Sequence, residues 1–151
     1  MAERDAFGRF LPQNKKGTPL PTQVRVVMSA LDRFSESFIK KITLDVVANL
    51  SRAPSEGGTP VDTGWARANW LASVTQPITE PAGTPESVEA AEGEKEAGLG
   101  RVLAYRLTAG PVFISNNVPY ITRLNDGSSD QAAEGFVQRA IQEAVTNVRV
   151  A

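Results

Sequence analysis

Asp62-Thr63-Gly64 is the first place where residue type and order suggest chemistry. Two such aspartates, one from each of two chains, can hold a single proton between them, as a dimeric aspartic protease requires. The flanks point elsewhere. In that protease arrangement the triplet follows an apolar strand and leads into a flap-forming β domain. Here Gly57-Gly58-Thr59-Pro60 precede it, and Trp65-Ala66-Arg67-Ala68-Asn69-Trp70 follow at helical spacing. Asp62 therefore reads as the cap of a short helix over 63–69, accepting a backbone N–H bond. The protease remains the lesser alternative.

Asn125-Asp126-Gly127-Ser128-Ser129-Asp130 places two carboxylates in a turn. A calcium loop needs more oxygen ligands, closed by a bidentate Glu, and Glu134 comes too early to serve. The spacing predicts a turn with Gly127 left-handed and Asp130 capping the last helix. The chain has no Cys and no His. Thiolate chemistry, the strongest zinc-ligand sets and the Ser-His-Asp and Cys-His arrangements all need one or the other. No GxxxxGK or GxGxxG is present; Gly98-Leu99-Gly100 lacks the third glycine and a preceding strand. Asn49-Leu50-Ser51 matches a glycosylation acceptor but falls inside a predicted helix. The expectation is a non-enzyme with no cofactor and no metal.

The 151 residues suffice for one core without staples, and the net charge of −1 gives no general drive toward nucleic acid or membrane. No apolar run reaches the ~18 residues of a membrane span. Residues 1–16 lack the apolar region of a secretory signal, so synthesis in a reducing cytoplasm is expected. The charge is uneven. Residues 1–52 carry nine basic against five acidic side chains, residues 53–151 seven against twelve.

These observations set the elements. Residues 1–21, with Gly8, Pro12, Gly17, Pro19 and Pro21, read as a flexible arm. Val24, Val27, Met28, Leu31, Phe34, Phe38, Ile39, Ile42, Val46 and Leu50 recur at three- and four-residue steps, predicting one long helix from Thr22 to Arg52. Thr22 is its expected cap and Pro54 its stop. Alternation over 70–76 predicts a strand. Residues 77–98 read as an acidic loop. Glu80, Glu86, Glu89, Glu92, Glu94 and Glu96 lie in it, either solvated or, from Glu86 onward, lining a channel whose negative walls keep DNA from sticking. Over 87–107 an Ala/Glu-rich stretch predicts a helix broken by Gly93, Gly98 and Gly100. A strand at 111–115, a helical turn over 119–124 and a helix over 132–148 complete the order. The predicted fold is α+β. One domain over 22–151 packs a long N-terminal and a C-terminal helix on a small antiparallel sheet.

Two stretches also carry a resemblance. Thr59-Pro60-Val61-Asp62-Thr63-Gly64 with Arg67-Ala68-Asn69-Trp70 resembles the TPVDTG-x-x-R-x-[SN]-W signature of the tail-completion or neck proteins of long-tailed bacteriophages. Ile114-Ser115-Asn116-Asn117-Val118-Pro119-Tyr120-Ile121, then Leu124 to Ser128 and Gln131-Ala132, resembles that family's second stretch. Asn125 stands where Glu is usual, Ala133 where Pro is usual, and Phe136 where Met is frequent. The resemblance spans residues 22–150.

It implies a virion component, made in the host cytoplasm, that forms a ring, a hexamer, at the head-proximal end of the tail. Its partners are then further copies of itself and the neighbouring connector and tail proteins, with DNA only as passing cargo and no membrane. Tail terminator and connector stopper are the neighbouring alternatives. The motif residues expected to serve assembly are Pro60, Asp62, Thr63, Gly64, Trp65, Arg67, Trp70, Asn116, Asn117, Pro119, Tyr120, Leu124, Gly127, Ser129 and Gln131. Their aromatic and Arg members suit either a local core or a subunit interface.

Overall fold

The computed structural model describes residues 4–10 and 21–148. Most of the expected arm, including Leu11, Pro12, Lys15, Lys16, Gly17 and Pro19, lies outside the described residues. Among the described residues the chain is α+β, with five α-helices and one two-stranded antiparallel sheet. It divides into two compact units, Met1–Glu36 and Ser37–Ala151. The boundary falls inside the first helix, α1 (Thr22–Ser51).

In the first unit, residues 4–10 close a tight turn on Asp5. Its carboxylate accepts the N–H groups of Phe7 and Arg9 at 2.9 and 3.0 Å and pairs with the Arg9 guanidinium at 3.0 Å. Thr22 is the first residue of α1 and not its cap. The Pro21 carbonyl takes the Arg25 N–H, and the Thr22 hydroxyl accepts from the Arg25 guanidinium instead. The apolar stripe starts uncovered: Val24, Val27, Met28 and Leu31 are 40–58% exposed.

In the second unit the same stripe is buried. Val46, Val47 and Leu50 pack with Trp70, Phe136, Ala140 and Ala144. Asn49, the would-be glycosylation site, is buried and donates to the Ala140 carbonyl at 3.0 Å. That bond ties the end of α1 to the last helix, α5 (Phe136–Thr146). A second core joins Trp65, Ala66, Ala68, Ala91 and Val118, and both Ile121 and Leu124 pack against both cores.

The sheet pairs β1 (Leu71–Val74) with β2 (Val112–Ser115), in the register Leu71↔Ser115 and Val74↔Val112. Leu71, Ala72 and Ser73 are all buried, so β1 is covered on both faces and not on one as its alternation suggested. The extra cover comes with α3 (Glu89–Leu103), which lies against β1. The acidic loop therefore ends at Val88, ten residues before the expected 98, and α3 is continuous through Gly93, Gly98 and Gly100. Packing outweighs the roughly 1 kcal/mol that each glycine takes from helix propensity.

Past β2, a short helix, α4 (Ile121–Asn125), ends at Gly127, which has the expected left-handed backbone (φ 85°). α5 then starts at Phe136, four residues later than predicted, and Asp130 does not cap it. Gly135 (φ 78°) occupies the cap position, and the Asn125 side-chain oxygen accepts the Val137 N–H at 3.0 Å. The Asn125 carbonyl also takes the Gly135 N–H. Asn125, one of the three departures from the resembled pattern, thus serves the helix entrance.

Candidate functional site

Residues far apart in sequence meet at one cleft. Pro60, Asp62, Thr63 and Gly64 line one side, and Tyr120, Leu124, Ser129 and Gln131 the other. Its volume is about 80 Å³. That admits a few waters, whereas ligand pockets run to roughly 300–1,000 Å³.

Side chains of one stretch bond to the backbone of the other. The Gln131 amide donates to the Val61 carbonyl at 2.9 Å and accepts the Val61 N–H at 2.8 Å. The Ser129 hydroxyl accepts the Gln131 N–H at 3.2 Å and steadies that clamp. Asn116 donates to the Ala66 carbonyl at 2.8 Å and accepts the Val118 N–H. Trp65 and Tyr120 lie tilted with ring centroids 6.3 Å apart. Replacing Gln131 with Ala removes both bonds to Val61. We expect a loss of about 1–2 kcal/mol in urea unfolding and faster proteolysis within 59–64. Gln131→Glu should lose at least as much, because its second oxygen faces the Val61 carbonyl.

Asp62 is exposed and does not cap the helix after it. Gly64, left-handed at φ 89°, holds the cap position of α2 (Trp65–Ala68), and the Thr63 hydroxyl accepts the Trp65 N–H at 3.3 Å. A side chain at Gly64 would be strained whatever the space around it.

The remaining motif residues fasten the loop that follows. The Trp65 indole donates to the Ala82 carbonyl at 2.8 Å. Asn69, fully buried, donates to that same carbonyl at 3.0 Å and accepts the Ala82 N–H at 2.7 Å. Asn117 donates to the Ile78 carbonyl at 2.8 Å. Trp70 belongs to the other core, and its indole donates to the Thr59 hydroxyl at 2.8 Å. Arg67 is half-buried, and Pro119 is exposed just before α4. Asn69, at the [SN] position of the first stretch, was not among the residues expected to serve assembly.

Burial raises the Tyr120 phenol above its ordinary 10.0, and the Asp62 charge adds to this. Hydrogen bonding to Thr63 opposes both. The folded phenol thus holds its proton longer than the unfolded one. Its contribution to stability is complete below pH 10 and is lost as pH rises through the folded value. Asp62→Asn should move the Tyr120 titration down toward the ordinary value, read from the phenolate absorbance in a Tyr105→Phe background. An unmoved titration would separate the two groups.

The acidic residues do not gather as one wall. Glu86 is in the loop; Glu89, Glu92, Glu94 and Glu96 are on α3. At about 100° per residue, Glu89, Glu92 and Glu96 share a face and Glu94 lies across from it. Glu92 pairs with Lys95 at 2.7 Å and Glu94 with Arg101. Among the described residues no three acidic side chains converge to hold a metal ion.

A second concavity is larger, about 490 Å³, and almost wholly apolar. Ile42, Val46, Trp70 and Ile114 line it, with Phe38 and Ile141 partly exposed. Of the two resembling stretches, Trp70 and Ile114 line it. We place the motif-bearing site at the smaller cleft, because the clamp and the ring contact converge there. Among the described residues no helix is long and apolar enough to cross a membrane. Comparison with family models, with curated proteins and with solved structures finds no match.

Proposed function

We propose that the chain is a structural subunit of the neck of a tailed phage. In this reading six copies form a ring at the head-proximal end of the tail, completing it and joining it to the connector. One observation carries the proposal: the two stretches that resemble the tail-completion family are bonded together into a single rigid surface. Its buried members, Trp65 and Asn69, fix the backbone, while Asp62, Thr63, Pro119 and Gln131 are left exposed. A surface held in advance loses less entropy on docking, which suits a part that must fit its neighbours in one orientation.

The reading gives the glutamates a place as well. Glu86, Glu89, Glu92 and Glu96 would face the DNA channel and repel the passing phosphates. Reversing their charge should then slow DNA ejection; unchanged ejection and infectivity would remove the channel role and leave the ring. In the phage that encodes this chain, deleting its gene should leave filled heads and finished-length tails unjoined. Tails of uncontrolled length would favour the terminator reading. Joined, infectious particles would contradict both.

A further inference from the structure

The sheet has two outer edges, and they differ. The Thr75 N–H bonds to the Pro111 carbonyl at 2.8 Å, which fixes the phase of the ladder. Phe113 and Ser115 are then the residues of β2 whose N–H and C=O groups face β1. The N–H and C=O groups of Val112 and Ile114 point the other way. Among the described residues none of them takes a hydrogen bond. On β1 the outward groups belong to Ala72 and Val74, and there α3 supplies cover, with Gly98 against the Ala72 carbonyl. The β2 edge is the open one.

An edge that is not meant to pair is ordinarily blunted by charge, by proline within the strand or by a bulge. Val112-Phe113-Ile114-Ser115 has none of these, and residues 107–122 carry no charged side chain. The lack of charge suits an identical partner, because two copies of one strand oppose like charges wherever it carries them. The open groups are also self-complementary. With two β2 strands antiparallel about a two-fold axis at Phe113, Val112 of each copy stands opposite Ile114 of the other. Each such pair exchanges both of its N–H···O=C bonds. This is the one two-fold register in which the open groups satisfy each other completely. It also sets Phe113 opposite its own counterpart, and aromatic cross-strand pairs are stabilising. We propose that the free chain is a two-fold dimer joined through β2, the two sheets continuing as one of four strands. An isologous contact closes at two copies. The inference therefore goes beyond the neck reading and concerns the chain before it meets its neighbours, when an open edge is a liability.

The test uses the full chain. Sedimentation velocity up to about 1 mM should show a reversible monomer–dimer equilibrium, since so short a contact belongs with the weak interfaces. Amide exchange reads the edge directly and needs no variant. The Val112 and Ile114 amides should exchange on the order of 10-fold more slowly in concentrated than in dilute protein, while those of Phe113 and Ser115, bonded to β1, stay protected in both. Val112→Pro removes an outward N–H and leaves the bonds to β1 in place. With its folding checked by circular dichroism, it should dimerise at least about 10-fold more weakly. The chain has no native cysteine. Phe113→Cys should oxidise to a homodimer, because Cα atoms opposed at about 4.5 Å lie within disulfide reach. Ser115→Cys, roughly 14 Å from its counterpart in this register, should not. Wild type that stays monomeric, with the Val112 and Ile114 amides unprotected, overturns the proposal. So does a dimer that Val112→Pro leaves as strong, or one in which Ser115→Cys links as readily as Phe113→Cys. A chain absent from virions, with the Phe113→Cys link formed, sinks the neck reading alone.

Discussion

Trp70→Ala is expected to lower the unfolding free energy by about 3–5 kcal/mol, the range for deleting a large buried side chain. Domains of this kind are held by only about 5–15 kcal/mol, so the urea midpoint should fall by roughly a fifth or more. Two effects combine. Trp70 is 6% exposed and packs with Val46, Leu50 and Phe136, so truncation opens a cavity where α1, β1 and α5 meet. Its indole N–H also donates to the Thr59 hydroxyl, which in turn donates to the Leu50 carbonyl at 2.7 Å. That chain of bonds joins the end of α1, the motif loop and the start of β1. Trp70→Phe keeps most of the apolar area and loses the bond, so it should cost only about 1–2 kcal/mol. Urea unfolding followed by Trp65 fluorescence separates the two, provided the slope is unchanged. A loss below about 1 kcal/mol for Trp70→Ala would mean that Trp70 is not part of the core.

Gly98→Ala should destabilise although it improves the helix. Propensity alone favours Ala over Gly by about 1 kcal/mol. A Cβ at position 98, however, would stand 2.4 Å from the Ala72 carbonyl oxygen, and that atom belongs to the β1 backbone. It cannot swing away as a side chain can. α3 must withdraw, opening its contact with β1, and overpacking of this kind costs about 1–3 kcal/mol. A contact this short puts the steric cost near the upper end of that range, so sterics win and we expect a net loss of about 2 kcal/mol. Gly93→Ala and Gly100→Ala are the controls. Nothing lies within 4 Å of either new Cβ, so each should gain up to about 1 kcal/mol. Equal gains at all three positions would contradict the close approach of α3 to β1.

Those three glycines also show what the sequence could convey. Read locally, they are three equal breaks, and only the tertiary contact distinguishes Gly98 from Gly93 and Gly100. The long helix was legible because ten apolar residues keep one period, and its end at Ser51 follows from Pro54. The same period could not say what covers the stripe, which is open at Val24 to Leu31 and buried at Val46 to Leu50. Two expected caps, Asp62 and Asp130, were drawn from short-range rules. The real partners are Thr63 with a left-handed Gly64, and Asn125 reaching twelve residues forward to Val137. For the motif site, the resemblance singled out the residues, but only the fold shows Gln131 closing on Val61. Buried Asn49 and Asn69 were missed for a related reason: a polar side chain looks exposed until its distant carbonyl partner is known.

Cryo-electron microscopy of the neck in intact virions is the decisive test of the proposed neck ring. The expected density is a ring at the head-proximal tail end into which the Ser37–Ala151 unit fits in every repeat, with Asp62 and Tyr120 at a contact with a neighbouring protein or copy. Density for this chain on a tail fibre or baseplate, or its absence from the particle, would contradict it.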